Sequence, residues 1–151
     1  MQVRFVALAL GILFLLLGLA GFVPVLMLIP GGATPDAPLN MPNLTFSDGY
    51  GYLFGLFPTN YLHNAVRIAV GVLGIASYTS FGGAILYTRG FAIAYILIAL
   101  MGLLPITNTT FGVMPLYGNN VWFNLLAAGI AAYFGFFKPV DPIETGTPSV
   151  G

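Results

Sequence analysis

Asn60, His63, Asn64 and Arg67 recur at i, i+3, i+4 and i+7, which sets four side chains on one face of a helix. They open an apolar run, Tyr61–Phe81, so a polar stripe with the chain's one histidine enters a segment suited to lipid. Polar groups at that depth are expensive and call for a function or a partner. A neutral imidazole beside an apolar cleft can ligate a haem or a chlorophyll, and one histidine suffices for a five-coordinate pigment. The competing use of His63 is a hydrogen bond to Asn120 or Asn124, the two amides that open the last apolar run. Arg67 falls roughly 8 Å inside the run at 1.5 Å per residue. Helical side chains lean toward the N-terminus, so Arg67 is expected to reach back to Asp48 or to loop carbonyls and fasten the preceding loop. Asp48, Asn60, His63, Asn64, Arg67, Asn120 and Asn124 are thus the expected polar cluster, with His63 as its candidate cofactor ligand.

Catalysis is not expected. There is no cysteine and a single histidine, and the acids Asp36, Asp48, Asp141 and Glu144 fall in loops or termini. That leaves no carboxylate pair, triad or metal cluster. An ion path would place an acid within the spans, and none is there. A pore for a neutral solute, lined by Asn60, Asn64, Asn120 and Asn124, ranks last because four helices enclose little space.

Composition says what must hold these residues. Of 151 residues 58% are hydrophobic and 5% charged, against about a quarter charged in ordinary soluble proteins. Four basic and four acidic side chains cannot solvate a domain of this size, so the expected solvent is a lipid bilayer. A net charge of +0 without a basic run excludes nucleic acid as a partner. The first apolar run, residues 5–29, is twice the length of a signal-peptide core and reads as an uncleaved helix.

Four spans are expected, at about residues 5–29, 61–87, 91–106 and 120–137, since about 20 apolar residues cross a bilayer. Arg4 precedes the first, Arg89 separates the second and third, and Lys138 follows the fourth. The opposite connections carry no Lys or Arg. The positive-inside rule then puts both termini in the cytoplasm, with an outer loop at 30–60 and a cytoplasmic tail at 138–151. Tyr50, Tyr52 and Tyr61 are expected as interface anchors on a segment lying at headgroup level.

The two halves echo each other. Gly21-Phe-Val-Pro24 closes the first span and Gly102-Leu-Leu-Pro105 the third. Asn60 and Asn64 open the second, Asn120 and Asn124 the fourth. The fold class expected is therefore all-α, an integral membrane four-helix bundle of two parallel-related hairpins. Small residues, Gly71 and Gly74 in one hairpin and Ala127, Ala131 and Gly135 in the other, are expected at helix contacts.

The run from Gly51 through Phe57-Pro58-Thr59-Asn60 and His63-Asn64 to Gly71 and Gly74 resembles a family of small four-span bacterial membrane proteins of unknown function. Its pattern is F-P-x-N-x-x-H-N-x-x-H, and many members come from photosynthetic bacteria. Phe57, Pro58, Asn60, His63 and Asn64 match. Arg67 stands where a second histidine is common, and Phe123-Asn124 where the family often has Leu-His, so a two-histidine site is not implied. The resemblance implies the architecture and supplies no activity.

The function expected is that of a non-catalytic accessory or scaffold subunit, with other membrane subunits as partners, in a bacterial inner membrane or thylakoid. The alternative is a pigment- or haem-binding protein of a photosynthetic complex, with chlorophyll or haem on His63. A small transporter comes third.

Overall fold

A computed structural model describes residues 2–28 and 48–138. The outer-loop residues 29–47 and the tail 139–151 lie outside the described residues. The architecture is a four-helix bundle with a small sheet at one end. Its helices are α1 (Gln2–Ala20), α2 (Tyr61–Ser77), α3 (Phe81–Leu103) and α4 (Asn119–Ala132), the last continued by a π-helical turn, Tyr133–Phe137. α1, α3 and α4 with its π turn are long and apolar enough to cross a membrane, and α2 is a shorter apolar helix.

The helix ends follow local chemistry and correct the expected spans. α1 does not run to Ile29. Gly21 and Phe22 form a turn, with Phe22 N donating to Leu19 O and Val23 N to Ala20 O, both at 3.0 Å. Pro24, which has no N–H to continue a helix, then opens a 3-10 turn, Pro24–Leu26. The second span does not run to Tyr87 either. The hydroxyl-rich stretch Ser77–Ser80 ends α2 and starts α3. Ser77 Oγ and Thr79 Oγ1 donate to Leu73 O and Ala76 O at 2.6 and 2.8 Å, satisfying carbonyls of the last turn. Ser80 Oγ caps α3 by accepting from Gly83 N at 2.9 Å. Arg89 is therefore inside α3, and its helix begins ten residues earlier than the expected Phe91.

α1 packs chiefly on α2, and α3 on α4, so the bundle is two hairpins. In the first, backbones nearly touch: a Cβ on Gly11 would lie 2.6 Å from Ile75 N and 2.7 Å from Gly71 O. In the second, Ala127, Ala128 and Ala131 are buried in the main core, and a Cβ on Gly135 would meet Thr88 Oγ1 at 2.8 Å. The small residues thus serve contacts within this chain. Phe14 of α1 joins the two hairpins. Its ring meets Phe91 and Tyr95 of α3 edge-on at 5.1 and 5.3 Å, and lies 5.7 Å from Phe123 of α4, distances at which aromatic pairs attract.

The segment expected at headgroup level folds into a three-stranded antiparallel sheet, in the order β1 (Met27–Leu28), β2 (Gly51–Leu53), β3 (Phe57–Thr59). Leu53 pairs with Met27 on one side and with Phe57 on the other. Three residues, Phe54 to Leu56, separate the paired Leu53 and Phe57; φ is positive at both Phe54 (54°) and Gly55 (73°), and Leu56 N donates to Leu53 O at 2.9 Å. Pro58 is tolerated because β3 is an edge strand. Phe57 carries the sheet onto α4, 5.2 Å from the Phe123 ring, and Asn119 Nδ2 donates to Leu56 O at 2.8 Å.

The opposite end is basic. Arg4 Nε donates to Tyr78 O just past the end of α2 (2.8 Å), and Arg89 Nε to Gly135 O in the last turn after α4 (2.7 Å). α1 and α3 thus each lend a guanidinium to the C-terminal end of their hairpin partner, where carbonyls lack partners and the helix dipole is negative.

Candidate functional site

The site lies where α2 and α4 begin, beneath the sheet. The buried face of α2 consists of His63, Asn64, Arg67, Gly71 and Gly74: polar at the sheet end, glycine further in. The stripe therefore faces protein and not lipid, as its cost in hydrocarbon demands.

Asn60 is the N-cap of α2, its Oδ1 accepting from His63 N at 2.8 Å, while its Nδ2 donates to Val113 O at 2.8 Å. One side chain thus starts the helix and ties it to the α3–α4 connection. Asn64 Oδ1 accepts from Thr59 Oγ1 at 2.7 Å, and the amide fills the space that a side chain on Gly21 would need. Arg67, 1% exposed, crosses to α4, where its Nη2 donates to Asn120 Oδ1 at 2.8 Å. Asn120 Nδ2 in turn donates to Pro58 O at 2.7 Å and to Pro115 O at 3.3 Å. Asn120 is thereby the junction of α2, α4, the sheet and the α3–α4 connection. Asn124 is one turn deeper on the same face of α4 and equally buried.

Two expected pairings are not the ones formed. Arg67 does not reach Asp48, whose side chain is exposed. Asp48 holds the start of α2 by its backbone instead, its carbonyl accepting from Tyr61 N at 3.0 Å. The reason is direction: Arg67 extends sideways across the bundle, and a neutral amide oxygen at its own depth spares the desolvation of a carboxylate. His63 does not bond Asn120 or Asn124. The Asn120 oxygen is taken by Arg67, and the imidazole interacts with the Pro115 carbonyl.

A tetrapyrrole on His63 does not fit this geometry. The ring is 4% exposed and enclosed by the protein's own helices, whereas an axial ligand must present a ring nitrogen to an open apolar face. Several polar atoms of the cluster are nonetheless unpaired: His63 Nδ1, Asn64 Nδ2, Arg67 Nε and Nη1, and Asn124 Nδ2.

Tyr50 is a tie rather than a free anchor, since its hydroxyl bonds the Tyr117 hydroxyl. Burial pushes the Tyr117 phenol up to about 12. Burial, reinforced by the bond to Tyr117, raises Tyr50 further. Tyr61 is the exposed member of the expected set, and Phe22 stacks on its ring at 5.2 Å.

Sequence reasoning missed Thr59, Pro58, Pro115 and Val113 as members of the site. Three of them contribute backbone carbonyls, which leave no mark in residue type. Thr59 carried a signal, a hydroxyl immediately before the capping asparagine.

No curated protein and no solved structure matches the chain. The family described as "Domain of unknown function (DUF4383)" matches residues 4–137. That stretch contains the whole polar cluster and nearly all of the four helices, and the chain belongs to this family.

Proposed function

We propose that the protein is a non-catalytic accessory or scaffold subunit that binds another membrane protein through the outward face of α4. The observation that carries this reading is a groove of about 660 Å³ along that face. Trp122, Leu126, Gly129, Ile130 and Tyr133 line it. The helical glycines Gly11, Gly18, Gly71, Gly74, Gly102 and Gly135 are covered within the bundle, whereas Gly82 and Gly90 of α3 are open. Gly129 is exposed, and a Cβ there would meet nothing within 4 Å, so the helix presents an open notch flanked by large apolar side chains. Small residues between large ones are how helices approach each other in lipid, where no hydrophobic force drives them together.

The setting proposed is a bacterial inner membrane or thylakoid, with both termini cytoplasmic. Arg4 and Arg89, bound at the ends of α2 and α4, and Lys138 just beyond, support that orientation under the positive-inside rule.

A photo-crosslinking amino acid at Ile130, activated in native membranes, tests the reading. A discrete crosslinked protein, lost when Gly129→Phe fills the notch, is the expected result. Crosslinks to lipid alone, together with a monomer free of companions after mild-detergent purification, would overturn it.

A further inference from the structure

The cluster beneath the sheet has more donors than acceptors. Arg67 Nη2 uses the Asn120 oxygen, which leaves Nε and Nη1 of the same guanidinium unpaired, together with Asn64 Nδ2 and Asn124 Nδ2, against a single unpaired imidazole nitrogen, His63 Nδ1. The arginine and both asparagines are between 0% and 1% exposed. A buried donor without an acceptor forfeits its hydration and gains nothing in return, and a buried guanidinium without a counter-charge forfeits far more. Among the described residues the only acid is Asp48, which is exposed and not paired with Arg67. The remaining potential has the same sign. α2 and α4 both begin at this level, and helix N-termini are positive.

We infer that Arg67, Asn64 and Asn124 bind one compact monovalent anion, a halide or a small carboxylate, inside the sheet end of the bundle. One guanidinium sets the charge at minus one. The amides supply neutral N–H donors, which bind an anion without adding charge. Enclosure sets the size: Asn64 is pressed against Gly21 and Arg67 and Asn124 are each 1% exposed, so no bulky ligand enters. Water would satisfy the donors but would leave the charge unbalanced.

The test uses the full-length protein in mild detergent, with thermal unfolding midpoints read in sodium chloride, sodium formate and sodium gluconate at equal ionic strength. The midpoint is expected to rise and saturate with chloride or formate, relative to gluconate. Whichever ion saturates at the lower concentration names the source of the anion. Asn124→Ala keeps the charge and removes one amide, and should raise the half-saturating concentration about tenfold, the ratio that about 1.4 kcal/mol represents. Arg67→Gln should abolish the response, and if that variant does not fold, Asn124→Ala decides alone. Equal midpoints in the three salts, the outcome for a cluster filled by water, would overturn the inference. So would a half-saturating concentration unchanged in Asn124→Ala.

Discussion

Asn120 carries more of the site than its type suggests, since its oxygen is the one acceptor that Arg67 has among the described residues and its nitrogen holds Pro58 and Pro115. A buried hydrogen bond to a charged group is worth about 1.5–3 kcal/mol, so Asn120→Ala should lower stability by at least that order in detergent unfolding. Asp48→Asn, at an exposed side chain that Arg67 does not use, should leave stability within about 0.5 kcal/mol. A second residue-level consequence concerns alkali. The phenols of Tyr50 and Tyr117 ionise less readily in the fold than in the unfolded chain, whose tyrosines titrate near 10.0. Their stabilising contribution is therefore complete below pH 10 and is lost as the pH rises through about 12, where Tyr117 ionises. Tyrosinate absorbance should show Tyr117→Phe losing a late-titrating phenol. The stripe on α2 was readable from sequence because four polar types at helical spacing stand out against an apolar run. Its partner was not. Asn120 is 53 positions away, and only the fold decides whether Arg67 turns up toward Asp48 or across toward α4.

Helices α1 and α2 meet where glycine leaves no bulk between backbones. A methyl on Gly11 would press on Ile75 N and Gly71 O, atoms that cannot yield without moving a helix. Gly11→Ala should therefore cost about 1–3 kcal/mol, the range for overpacked cores. Gly90 in α3 has open space around a Cβ, so Gly90→Ala should gain about 0.5–1 kcal/mol from the better helix former. Comparing the two unfolding midpoints separates close approach from helix propensity. The existence of four helices was plain from the apolar runs, but three of their ends, those of α1 and α2 and the start of α3, were not. Residues 75–87 contain neither charge nor proline, so hydropathy continued through a break that three hydroxyls make. The sheet was hidden for a different reason. Its strands are two or three residues long, too short to show alternation, and the turn relies on Phe54 at positive φ, a conformation its type does not advertise.

The bundle as a whole is polarised, with guanidinium caps at one end and the amide cluster under the sheet at the other. Because the chain has no cysteine, single cysteines report its orientation without background. With a membrane-impermeant maleimide on intact cells, Phe111→Cys, 71% exposed in the α3–α4 connection, should label. Thr79→Cys, exposed between α2 and α3, should label only after the membrane is opened. The reverse pattern would invert the proposed topology.

The bond from Arg67 to Asn120 also has a meaning in time. α2 leaves the ribosome well before α4, so the arginine enters the bilayer with its eventual acceptor not yet made. The capping asparagine of α2 is in the same position, because the Val113 carbonyl it binds is also synthesised later. The first hairpin can insert, but it cannot finish its own polar end. Completion of the last helix is therefore the step that commits the molecule. A chain that stops after α3 lacks Asn120 and leaves the Arg67 charge without that acceptor.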